Sequence, residues 1–63
     1  MKEKGDIQGL IRELKNNNLK VRIESTKALG DLQHIEGLIQ ALDNDNLEVR
    51  VQATERIKEF GDR

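Results

Sequence analysis

Asp43, Asn44, Asp45 and Asn46 stand in a row, and oxygen-bearing side chains at alternate positions are how a calcium loop begins. Counted from Asp43, however, the fifth position is Leu47 and the sixth is Glu48, where the loop needs glycine. The twelfth is Thr54, where a bidentate glutamate belongs. The run is therefore read as a turn with a helix cap, and no metal ligands are assigned. His34 is the sole histidine, and histidine is the side chain best suited to proton transfer near neutrality. No serine or cysteine is placed to face it, so it is read as a linker or helix-start residue. Ser25 falls on the apolar stripe of its helix, where a matching later segment has Ala53. It is read as a small packing residue whose hydroxyl bonds back to its own helix. No catalytic, cofactor-binding or metal-binding residue is expected.

The elements that position these residues come from a duplication. Residues 7–32 return at 35–60, displaced by 28 positions without a gap, with Ile7/Ile35, Gly9/Gly37, Leu10/Leu38, Ile11/Ile39, Leu14/Leu42, Asn16/Asn44, Asn18/Asn46, Leu19/Leu47, Val21/Val49, Arg22/Arg50 and Thr26/Thr54 identical. A period in this range marks stacked helical or mixed units, each burying its apolar face on a neighbour. The expected organisation is a flexible N-terminus (1–5) and a single domain (6–63) made of repeat 1 (6–32) and repeat 2 (35–63).

Within the first unit, Ile7, Leu10, Ile11 and Leu14 fall at i, i+3, i+4 and i+7, one stripe of a helix. Asp6 is its expected N-cap. Asn16 to Asn18 break the pattern, because short amides compete for backbone hydrogen bonds, and Asn18 is the expected cap of a second helix. That helix puts Val21, Ser25, Ala28, Leu29 and Leu32 on one face and is expected to end at Gly30. The second unit repeats the plan with Ile35, Leu38, Ile39 and Leu42, a turn at Asp43 to Asn46, and Val49, Ala53, Ile57 and Phe60. Its glycine stop, Gly61, comes about one turn later in register, so its second helix should run longer. No segment alternates with period two, and the fold class is all-α. Gly9 and Gly37 are kept in both copies although glycine costs about 1 kcal/mol inside a helix. Close approach of the two first helices, or an irregular helix start, is the expected reason.

On the second helix of each unit, Lys20, Ile23 and Lys27, and equally Glu48, Val51 and Glu55, project away from the apolar stripe at 100° per residue. The sign inverts between copies, and Lys15 likewise becomes Asp43. These six side-by-side positions are the expected partner-binding residues. The inversion fits either cross-unit ion pairs or an antiparallel pairing of two molecules about a two-fold axis.

Composition narrows the partners. A net charge of −1 with 37% charged residues describes a mixed-sign surface, which argues against a general nucleic-acid binder. No apolar run approaches the roughly 18 residues of a membrane span and no signal-type segment follows Met1 to Gly5, so a cytoplasmic location and no membrane partner are expected. With 63 residues and no cysteine, the domain buries only about 60% of its unfolded surface and has no disulfide to compensate. Two units are fewer than the three that such arrays usually need, so a homo-oligomer, most simply a dimer, is expected.

Leu19-Lys20-Val21-Arg22, Ala28-Leu29-Gly30-Asp31 and the second copy Leu47-Glu48-Val49-Arg50 resemble HEAT repeats, most closely the short HEAT-like variety of phycobilisome lyases. The resemblance spans nearly everything after Gly5. It implies a short α-solenoid of two helix-turn-helix repeats, with second helices lining a concave face that grips a protein partner. The family's frequent Asp-Pro turn is replaced by Asn16-Asn17 and Asn44-Asp45, whose amides are expected to bond Arg22 and Arg50 without charge assistance. A non-enzymatic interaction or assembly module is the leading functional expectation. The alternatives are an accessory subunit or fragment of a lyase-related enzyme, and a nucleic-acid-binding module in which Glu48 and Glu55 would oppose the polyanion.

Overall fold

The computed structural model of the chain describes residues 6–61, and their regular structure is entirely helical. Helices α1 (Ile7–Glu13), α2 (Leu19–Asp31), α3 (Ile35–Leu42) and α4 (Leu47–Gly61) follow in order. The expected flexible segment 1–5 and residues 62–63 of the second unit lie outside the described residues. No described helix is long and apolar enough to cross a membrane.

Helix starts follow from local chemistry. Asp6 Oδ1 accepts the Gly9 N–H at 3.0 Å, and Asn18 Oδ1 accepts the Lys20 N–H at 2.9 Å. His34 Nδ1 accepts the Gly37 N–H at 2.9 Å, and Asn46 Oδ1 accepts the Glu48 N–H at 2.9 Å. Each cap satisfies an amide that helix geometry leaves without a partner, an effect of about 1 kcal/mol. His34 is thus a helix-start residue. The two asparagine turns share one design: Asn16 Oδ1 accepts from the Asn18 N–H at 2.8 Å, and Asn44 Oδ1 from the Asn46 N–H at 3.0 Å.

The end of α2 differs from the expectation. Gly30 lies inside the helix, and the stop is made by Gln33, which takes φ 56°. The Gln33 N–H reaches Gly30 O at 2.9 Å and the His34 N–H reaches Leu29 O at 3.0 Å, closing the last turn in the Schellman pattern. Gly30 is buried for a tertiary reason instead: a Cβ there would sit 2.8 Å from Arg56 Cδ, so the missing side chain admits α4. Helix α4 spans 15 residues against 13 for α2, in the expected direction.

Helix α2 packs against all three others, while α1 meets α2 and α3 but not α4. The chain is therefore two helix pairs laid one on the other. Leu14, Leu29, Leu38, Ala41, Val49 and Ala53 form the buried core between them, and Ile7, Leu10, Ile11, Ile23, Ile57 and Phe60 pack around it. The two repeated glycines act at the helix starts rather than at a close α1–α3 approach. A Cβ at Gly9 would strike the capping carboxylate of Asp6, and one at Gly37 would lie 2.8 Å from Leu29 Cδ2 and 3.0 Å from His34 Nδ1. Both make room for a cap, and Gly37 also for the core.

Candidate functional site

The asparagine turns do more than start helices. Arg22 Nε donates to Asn16 O in its own unit. Arg22 Nη1 crosses to the second unit, donating to Asn44 Oδ1 at 2.9 Å and to Asp45 Oδ1 at 3.0 Å. Asn44 Nδ2 completes the clasp by donating to Leu14 O at 2.8 Å. Arg50 repeats only the inner half, with Nη1 donating to Asn44 O at 2.9 Å. The expected pairing of each arginine with its own unit's amide side chain is thereby corrected. The backbone carbonyl serves the arginine of the same unit, the amide side chain serves the preceding unit's arginine, and Asp45 supplies charge. Asp45 is almost fully exposed, so that charge contributes at the low end of surface pairs.

The six residues expected to bind a partner do not behave alike. Lys20, Glu48, Val51 and Glu55 are exposed, Lys27 is half-buried, and Ile23 is half-buried against the core rather than projecting into solvent. Ile23 packs against the core cluster, whereas its copy Val51 is 40% exposed. Neither Lys20 nor Lys27 forms an ion pair with Glu48 or Glu55; the cross-unit pair between second helices is Arg56 with Asp31, at 3.1 Å. The hydroxyls that bond back to their helix are those of Thr26, to Arg22 O, and Thr54, to Arg50 O. Ser25 is buried without that bond.

Equivalent positions in the two units reveal a larger feature. Leu14 is 3% exposed but its copy Leu42 is 37%. Ile7 and Ile11 are half-buried, while Ile35 and Ile39 are 44% and 52% exposed. Thr26 is fully buried and Thr54 is exposed. Ile35, Ile39 and Leu42 thus form an apolar stripe along α3, and Leu47 and Val51 are exposed apolar residues of α4. At the opposite end, Leu10, Val21 and Ala28 are half-buried in an open groove between α1 and α2, rimmed by Glu13, Lys20 and Glu24. Their copies Leu38 and Val49 are fully buried between the units.

Sequence periodicity placed Ile35, Ile39 and Leu42 on one stripe of a helix, which marks the residues that share a face and not whether a neighbour covers that face. The signal that identifies it is the comparison of copies. Among the described residues no group of three or more His, Asp or Glu is arranged to hold a metal ion, and the acceptor nitrogen of His34 is engaged by its cap bond. No family model matches the chain, and neither a curated protein nor a solved structure matches it.

Proposed function

We propose that the chain is a non-enzymatic protein-interaction and assembly module, a two-repeat HEAT-like solenoid that binds a protein through the face its second unit leaves uncovered. The observation that carries this reading is the Ile35/Ile39/Leu42 stripe, whose copy in the first unit is buried or half-buried by protein. A contiguous apolar strip at the end of a helical stack has the composition of an interface, and soluble arrays usually close such ends with polar side chains. Val51 extends the contact onto α4. Glu48 and Glu55 flank Val51 on α4 with negative charge, while Lys20 stands at the groove of the opposite end, and such charge orients a partner more than it adds affinity.

The test is capture from a lysate of the source organism with the immobilised chain, set beside the double variant Ile39→Glu, Leu42→Glu. Neither residue belongs to the buried core, so the variant keeps the helix content of the original. The reading expects a retained protein, either this chain or another, that the variant releases. Equal retention by both, or by neither, counts against it.

A further inference from the structure

The internal junction shows what kind of surface covers a stripe of this type. In the first unit, Ile7, Ile11, Leu14 and Thr26 are covered by the second unit, which presents Leu38, Ala41, Val49 and Ala53. The open groove at the other end of the molecule carries the counterparts of that covering surface: Leu10 for Leu38, Val21 for Val49 and Ser25 for Ala53. One end of the molecule therefore shows the face that is covered in the interior, and the other end shows the face that does the covering. We infer that a second copy of this chain docks head to tail, its α1/α2 groove seated on the α3/α4 stripe, repeating the junction between units. This rests on the proposed interaction role and names its partner.

The polar groups agree with the apolar ones. Inside the molecule, Lys15 lines one hollow with Gln40 and Asp43. Moving every residue by one repeat places Asp43 of one copy against Arg12 and Lys15 of the next, an acid facing two bases. Arg50, which uses only the inner half of its clasp, would reach Asn16 Oδ1 of the next copy as Arg22 reaches Asn44 Oδ1. That oxygen is already set by the Asn18 N–H, as Asn44 Oδ1 is by Asn46. The tight pair of Gly30 beneath Arg56 becomes Ala28 beneath Lys58, again small against long. Glu13 stands where the internal junction buries Ala41. A carboxylate there costs desolvation, so the intermolecular junction is weaker than the internal one and reversible.

A contact between two different faces does not close on itself and leads to chains of copies rather than a two-fold dimer. The decisive experiment is sedimentation equilibrium of the full chain from about 10 µM to about 1 mM, alone and as two variants with circular dichroism as the folding control. Ile39→Glu blocks the stripe and Val21→Glu blocks the groove. Ile35→Lys and Ala28→Lys replace them if either loses helix content. The wild type is expected to grow past the dimer with concentration, and each variant alone to lose association at least tenfold. An equimolar mixture of the two should form a dimer and stop there, since only one stripe and one groove remain intact. Asp43→Arg should weaken the wild-type association, and Arg12→Asp in the same chain should restore part of it. A wild type that stays monomeric overturns head-to-tail stacking while leaving the capture result to judge the interaction role; the stripe then belongs to a different protein or a further unit. Dimers that survive one variant, or a mixture that fails to pair, overturn it in favour of a two-fold contact.

Discussion

Leu14 and Leu42 occupy the same place in two nearly identical helices, yet one is closed off from water and the other is more than a third exposed. The same holds for Arg22 and Arg50: one clasps the neighbouring unit and the other reaches only its own backbone. The difference lies in what is stacked on each unit, not in the units themselves. In a repeat the local sequence decides the helix and its stripe, while position in the stack decides whether that stripe is core or surface.

Truncating the two leucines should separate the two environments most widely. Leu14→Ala should cost about 2–5 kcal/mol, enough to unfold much of so small a domain at room temperature. Leu42→Ala should cost about 1 kcal/mol in dilute solution, because over a third of the side chain is already in water and its removal leaves no closed cavity. Urea titration followed by circular dichroism separates the two, and equal losses would refute the difference in covering.

The conserved glycines give a smaller contrast. Gly37→Ala drives a methyl into Leu29 and the His34 cap and should destabilise by about 1–3 kcal/mol. At Gly9 the opposing group is the end of the Asp6 side chain, so loss of the cap is offset by helix propensity and the net change should stay within about 1 kcal/mol. Thermal unfolding of the two variants measures this directly. Arginine truncation comes next: Arg22→Ala should cost about 1–2 kcal/mol and Arg50→Ala about 0.5 kcal/mol or less. Only part of the Arg22 effect should weaken with added salt, since Asn44 and the Asn16 carbonyl are neutral partners.

The smallest effect is expected at the join between units. Gln33 holds a positive φ that glycine adopts without strain, so Gln33→Gly should stabilise by about 0.5–1 kcal/mol after the added freedom of the unfolded chain is deducted. A lowered melting temperature would show that the Gln33 side chain contributes a contact outweighing its backbone strain.

The parts of this fold that were legible in the sequence are those whose cause lies within a few residues. Asp6 and Asn18 announce their helices because a cap needs only an oxygen and two or three following amides. The turns at Asn16 and Asn44 are legible for the same reason. Gly30 was misleading because its purpose is to admit Arg56 from 26 positions away, while the true stop at Gln33 carries no turn-favouring residue type. Ile23 and Val51 look alike on a helical projection, yet one packs against the core and the other is exposed. The arginine clasp joins Arg22 to Asn44 and Asp45 across the units, a partnership that spacing within one repeat does not reveal.

Covering of the α3 stripe, as the first unit's stripe is covered, is directly measurable. Isoleucine methyl groups observed by NMR with a soluble paramagnetic agent report this at Ile7, Ile11, Ile35 and Ile39 together. In dilute solution Ile35 and Ile39 should be strongly relaxed while Ile7 and Ile11 are less so; at high concentration the protection of Ile35 and Ile39 should rise to that of their copies. Methyls of Ile35 and Ile39 that stay equally accessible at every concentration would contradict it.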